Sequence, residues 1–244
     1  PSPFALAAPA IFANGYSVLP LIPRDKAPGE RANSRWRLMA GWNRYRDARP
    51  EPFILKLWAS YPDAGIGVVL GTPAGAGWEL AAVDIDTEDD MVLGQIESAL
   101  PPSPVRKRGG KGYTAFYRVP PGTKGRNWRR QGRGLCDLLT GNQTRQTVLP
   151  PSIHPTGVAY QWLTDQTLET VRPEDLPALM PDQIDRLVDT LDALADASPA
   201  PRSSSHGSHD ETHWNALNQA ALDRLDDWVP LLNLPKLAWK NTRW

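Results

Sequence analysis

Apolar residues along this chain alternate between helical and strand periods, and the changes of period divide it into elements. Residues 4–14, from Phe4 to Asn14, are nearly all apolar and predict a helix. Pro9 is expected to kink or end that run, and Gly15 to stop it. A strand is expected over 16–22, a Pro- and Arg-rich connection over 23–50, and a short amphipathic helix over 53–60. Residues 66–70 (Ile-Gly-Val-Val-Leu) suit a strand buried on both faces, and the turn from Gly71 to Gly77 leads into a strand over 80–86. A helix over about 88–99 follows, then strands near 113–119, 135–139, 146–149 and 158–163. Strands and helices first mixed, then a run of strands, predict an α+β fold rather than regular βαβ winding.

The last quarter has a different character. Ile184, Leu187, Val188, Leu191 and Leu194 recur at helical spacing with acids on the other face, predicting a helix over 181–197. Residues 198–212 are rich in Ser, Pro and Gly and predict a flexible linker, and 213–244 predict a short helix with a Trp- and Leu-rich tail. The single cysteine, Cys136, excludes an internal disulfide. No run approaches the ~18 apolar residues of a membrane span, and no signal peptide is apparent. The expectation is a cytoplasmic protein without membrane contact.

The chain holds 27 Lys+Arg against 27 Asp+Glu, but its charge is segregated. Residues 106–133 carry Arg106, Lys107, Arg108, Lys111, Arg118, Lys124, Arg126, Arg129, Arg130 and Arg133 and no acid. Residues 24–49 are also basic, whereas 84–97 and 165–227 are acidic. A basic surface beside a compact acidic cluster suits a polyanion substrate worked on by metal ions. Trp128, Tyr113 and Tyr117 among the cations could stack on bases. A solvated basic loop with no partner has the same composition.

Within that pattern the strongest chemical signal is Asp84-Ile85-Asp86 at the end of an apolar strand. Period two points both carboxylates to one face and Ile85 into the opposite layer. Adjacent like charges shift each other's pKa unless a hard divalent cation sits between them. Two solvated carboxylates at a strand end would read the same way. Arg106-Lys107-Arg108-Gly109-Gly110-Lys111-Gly112 brings cations and glycine backbone together, as anion binding requires, though a charged hairpin tip also fits. No Gly-x4-Gly-Lys-Ser/Thr phosphate loop occurs. Asp137 is a lone acid in an apolar strand, and a buried carboxylate needs a partner or a metal. Pro150-Pro151-Ser152-Ile153-His154 is a rigid turn that presents a hydroxyl and an imidazole, for phosphate contact or for structure. His206, His209 and His213 have metal-compatible spacing but lack a neighbouring Cys or a pattern of acids to support them.

In that order these residues resemble the bifunctional DNA primase/polymerase N-terminal (Prim-Pol) family of the archaeo-eukaryotic primase superfamily, over about residues 4–163. The likeness rests on Gly15-Tyr16-Ser17-Val18-Leu19-Pro20-Leu21, Lys26-Ala27-Pro28, Trp58, Ile66 to Gly71, Val83 to Asp86, and Gln146 to His154. The resemblance implies an archaeo-eukaryotic-primase-like core of mixed β-sheets flanked by helices over 1–165. A helical extension over 166–197 would follow, and then the linker and tail. It implies Asp84, Asp86 and Asp137 as catalytic ligands of two Mg²⁺ or Mn²⁺ ions. Thr114 stands where the family carries a histidine that contacts the incoming nucleotide's phosphates. Lys111, Thr114, Arg118, Ser152 and His154 are then candidates for nucleotide contact. Arg106, Lys107, Arg108, Lys124, Arg126, Arg129 and Arg130 are candidates for DNA contact.

The implied activity is nucleotide transfer from (d)NTPs to a primer or initiating nucleotide on a DNA template, in phage- or plasmid-type replication, with a helicase domain or subunit as a possible partner. Two other readings stay open: a single-stranded DNA-binding module that has lost synthesis, and a metal-dependent nuclease on the same acids.

Overall fold

Both faces of residues 79–85 are covered, and this strand sets the layers of the protein. Leu80 and Ala82 face one hydrophobic core, while Ala81, Val83 and Ile85 face another. The computed structural model describes residues 1–143 and 145–196. The expected linker 198–212, the helix and tail over 213–244, and His206, His209 and His213 lie outside the described residues.

In chain order the elements are α1 (Pro3–Ala13), β1 (Val18–Leu21), β2 (Gly29–Ala32), β3 (Arg35–Leu38), α2 (Pro52–Ala59), β4 (Gly65–Val69), β5 (Glu79–Ile85) and α3 (Asp90–Ser98). There follow β6 (Arg106–Arg108), β7 (Tyr113–Val119), β8 (Arg126–Arg130), β9 (Arg133–Leu139), β10 (Gln146–Leu149), β11 (Gln161–Trp162) and α4 (Pro181–Leu194). The fold is α+β. A six-stranded sheet has the order β11-β6-β7-β5-β9-β8, a three-stranded sheet the order β1-β4-β10, and β2-β3 form a separate ribbon. Paired neighbours in all three run antiparallel.

The first core joins α1 and the small sheet to one face of the large sheet through Phe4, Ile11, Tyr16, Ile66, Leu80 and Phe116. Helix α1 runs through Pro9 instead of ending there. Pro9 lies on the exposed side, while Phe4, Ala7, Ala8 and Ile11 are buried, so packing outweighs the lost backbone hydrogen bond. The second core covers the opposite face of the large sheet with α3 and α4, through Val92, Ile96, Leu187 and Leu191. Residues 166–196 therefore add to both layers, Leu168 and Leu176 in the first and Leu179 in the second. Where a connection is expected over 23–50, the chain makes the β2–β3 ribbon and a 3-10 turn over Trp42–Arg46. The strand expected over 158–163 shortens to Gln161–Trp162. Among the described residues no helix is long and apolar enough to cross a membrane.

Candidate active site

The apolar run of β5 ends where the first core ends, and its next two residues on that face are Asp84 and Asp86. Both are half-buried, while Ile85 points into the second core, as the alternation predicts. Antiparallel register then assembles a row across the large sheet. Asp84 pairs with Thr114 of β7 on one side and with Asp137 of β9 on the other. Beyond them Lys107 of β6 pairs with Thr114, and Asn127 of β8 pairs with Asp137. Residues opposite one another share a face, and neighbouring strands lie about 4.8 Å apart. A sequence order of 84, 107, 114, 127, 137 becomes a spatial order of Lys107, Thr114, Asp84, Asp137, Asn127.

Hydrogen bonds connect the row. The Lys107 ammonium, buried to 3% exposure, donates to the Thr114 hydroxyl at 2.8 Å, and that hydroxyl donates to Asp84 Oδ1. The Asn127 side chain bonds Asp137. Burial pushes the Lys107 pKa down to about 8; Asp84 opposes the fall and Lys26 adds to it. Burial also raises the Asp137 carboxyl, with Asp84 and Asp86 adding to the rise, and Asn127 and Arg145 opposing it. Asp86 is raised by burial and then by Asp84, against the pull of Lys111 and Lys26. Burial, helped by neighbouring carboxylates, holds both carboxyls up, a balance that an added cation would relieve.

Lys107, Thr114, Asp84 and Asp137 of this row line a cleft of about 670 Å³. Around it stand Lys26, Lys111, Arg145, Gln146, Thr147, His154, Thr156 and Tyr160, with the Gln146 side chain donating to the Lys26 carbonyl. Two glycines allow the close packing at its base. A Cβ on Gly112 would lie 1.8 Å from the Ile85 carbonyl oxygen, and one on Gly134 would lie 2.7 Å from Asp86 Oδ2. The Thr156 N–H donates to His154 Nδ1 at 3.2 Å, which makes Nε2 the donor nitrogen of the neutral ring. Burial and Lys26 lower the His154 pKa. Tyr160 is pushed up to about 12 by burial and by Asp84 and Asp86.

Of the residues singled out in the sequence, Asp84, Asp86, Asp137, Lys111, Thr114 and His154 line this cleft. Ser152 does not: its buried hydroxyl is bound to the Ile66 N–H and C=O at 2.8 and 3.2 Å, and ties the turn after the cis Pro150–Pro151 peptide to β4. Arg118 lies at the far end of β7, opposite Leu80, with its guanidinium over the Trp78 ring at 5.4 Å. Lys107 leaves the group of surface cations for the cleft floor. Arg106 faces Glu97 at 3.5 Å and the Tyr113 ring at 5.2 Å, and Arg108 Nε donates to the Gly112 carbonyl at 2.9 Å. Arg126 pairs with Asp192 of α4 at 2.6 Å, and Arg130 faces Asp89 at 3.7 Å. Lys124 and Arg129 are exposed. Lys26, Arg145 and Tyr160 also line the cleft and are not among the site residues expected from the sequence, and Asn127 bonds Asp137 from outside it. Among the described residues no three His, Cys, Asp or Glu side chains are grouped so as to hold a metal ion as they stand.

Residues 8–183 match the family described as bifunctional DNA primase/polymerase, N-terminal (Prim-Pol). With most of its length inside that match, the chain belongs to the Prim-Pol family, whose members are DNA primase/polymerases acting on DNA and nucleotides. No curated protein matches the chain.

Proposed function

We propose that this cleft transfers a nucleotide from a nucleoside triphosphate to the 3′-hydroxyl of a primer, or of an initiating nucleotide, on a DNA template. The reading is carried by the cross-strand row, which seats Asp84 beside Asp137 while Lys26, Lys107 and Lys111 stand around the same cleft. Family membership supplies the reaction class, and the row supplies residues of both required signs.

The donor chemistry suits hard divalent cations, for which the three carboxylates would have to turn toward a common point. Carboxylate oxygens are their preferred ligands, and the raised pKa values of Asp86 and Asp137 mark negative charge crowded into a half-buried site. Asp84, Asp86 and Asp137 would hold two Mg²⁺ or Mn²⁺ ions. Such ions, when bound, acidify the attacking hydroxyl and offset charge on the triphosphate and the leaving pyrophosphate. The protein's own cations do the remaining electrostatic work. Lys26, Lys107 and Lys111 bind triphosphate oxygens, and His154 donates through Nε2–H. Thr114 holds Lys107 and Asp84 in register by donating to one and accepting from the other. As the hydroxyl oxygen bonds to the α-phosphorus, the bond to pyrophosphate breaks and the hydroxyl proton passes to solvent.

Thr114 also supports a second reading, a DNA-binding module without synthesis, because the resemblance leads one to expect a histidine there. The test is incorporation of labelled nucleotide by the full chain on a primed DNA template with Mg²⁺ or Mn²⁺. Growth of the primer supports the transferase. DNA binding without growth selects the module, and nucleotide release without growth selects a nuclease on the same acids.

A further inference from the structure

The β2–β3 ribbon lies outside both larger sheets. It reverses through Asn33 and Ser34, both in the left-handed region with φ of 49° and 63°. Its root is fixed to the body. The Trp36 ring meets Tyr61 edge-on at 5.6 Å, and Gly29 lies so close to Ile22 that a Cβ would come within 2.4 Å of it. Alternation therefore divides the ribbon into two faces. Trp36 and its register partner Arg31 take the face toward the body, and Arg35 and Arg37 take the other. Both of those arginines are exposed. Arg37 pairs with Glu30 at 2.9 Å, but this ion pair is solvated, the kind worth little against a competing anion. Over residues 24–37 there are five bases (Arg24, Lys26, Arg31, Arg35, Arg37) and two acids (Asp25, Glu30).

Placement gives this charge a use. The loop that leads into β2 carries Lys26 on the cleft wall, and the Gln146 side chain of β10 donates to the Lys26 carbonyl. Three residues after Lys26 the chain enters β2, so the ribbon is joined to the cleft wall by a short connection. Of the cations of 106–133, Lys107 is buried in the cleft and Arg106, Arg126 and Arg130 stand beside Glu97, Asp192 and Asp89, while Lys124, Arg129 and Arg133 are exposed like Arg35 and Arg37. The cleft, about 670 Å³, is of small-molecule size, so a primer–template duplex would extend beyond it.

We propose that the β2–β3 ribbon is a duplex-holding arm whose Arg35 and Arg37 contact phosphates of the primer–template beside the cleft. The proposal rests on the primase/polymerase reading for the presence of a duplex. A two-stranded ribbon is of groove width, and Arg35 and Arg37 stand about 7 Å apart at ~3.4 Å per residue.

The test measures binding of the full chain to a fluorescent primer–template, and to a single strand of the same length, across a salt series. In Arg35→Ala/Arg37→Ala the plot of log affinity against log salt for the duplex should become shallower by about 2, roughly one for each lost phosphate contact. Duplex affinity at about 100 mM salt should fall about tenfold or more, single-strand affinity by less than about threefold, with the KM for nucleotide unchanged. Arg35→Lys/Arg37→Lys should keep the wild-type slope, which separates charge from folding. An unchanged duplex slope overturns the proposal, and so does an equal loss on the single strand, because the arm would then not be reading a duplex. If the wild type never extends the primer yet the duplex slope still drops in the double variant, the arm stands and the transferase reading falls.

Discussion

Lys107→Met separates what the cleft costs the fold from what it gives the reaction. The ammonium is buried, and its pKa falls from 10.5 to about 8, so keeping it charged at pH 7 costs about 3 kcal/mol. Against that stands the hydrogen bond to Thr114, worth ~1.5–3 kcal/mol for a charged donor. Methionine has similar length and no charge, so the variant should be between unchanged and about 1.5 kcal/mol more stable in urea unfolding at pH 7. The sign of the pH effect follows from linkage. The folded state holds the Lys107 proton less tightly than the unfolded chain, so wild-type stability should rise from about pH 8 toward 10.5, and Lys107→Met should flatten that rise. Function should move the other way. Loss of a buried cation facing a triphosphate should raise the nucleotide KM about 10- to 100-fold, the equivalent of ~1.5–3 kcal/mol. A variant that loses more than about 2 kcal/mol of stability and keeps its KM would refute the argument, because Lys107 would then be a structural residue.

Thr114→Val removes the hydroxyl between Lys107 and Asp84 at nearly constant volume. It should cost ~1–3 kcal/mol in urea unfolding, since a buried ammonium and a carboxylate both lose a partner. Gly134→Ala brings a methyl within 2.7 Å of Asp86 Oδ2, so the carboxylate must move. The incorporation rate should fall about 100-fold with stability changed by less than ~1 kcal/mol, and an unaltered rate would remove Asp86 from the site. The raised Asp86 and Asp137 carboxyls bind protons more tightly when folded than the ordinary value of 3.8 allows. Their contribution to stability therefore declines as pH rises from 3.8 through the raised values, and is lowest once both are ionised. Mn²⁺ should raise the Tm little near pH 4 and more near pH 7; a shift independent of pH would argue against cation binding at these groups.

Much of this arrangement can be read along the chain, because it depends on local alternation. The 80–86 pattern fixes which face Asp84 and Asp86 share, and β7 and β10 fall where their apolar runs predict. Cross-strand neighbours are a different matter. Nothing near Lys107 in sequence shows that it will lie under a cleft against Thr114, since a lysine between two arginines reads as surface charge. Strand β8, Arg-Asn-Trp-Arg-Arg, offers little apolar alternation and is held by Trp128 Nε1 donating to Asp192 at 2.7 Å, a contact across 64 residues. Ser152 illustrates the reverse case. A hydroxyl in a rigid turn suits phosphate contact, yet its bonds to Ile66 depend on β4, which lies far away along the chain. The ribbon over 29–38 is concealed by its arginines, and only Trp36 and Gly29 packing on the body give it a place.

In the proposed reaction Asp84 and Asp137 act together from adjacent strands. The most direct test of this proposal is the single-turnover rate of nucleotide addition to a primed template, followed across a Mn²⁺ titration for the wild type, Asp84→Asn, Asp137→Asn and the double variant. Each single variant should lose at least about 10³-fold while retaining its fold and duplex affinity, and the double variant should be scarcely worse than either, as groups acting as one unit require. Near-wild-type addition by Asp137→Asn, or rates that ignore Mn²⁺, would contradict it.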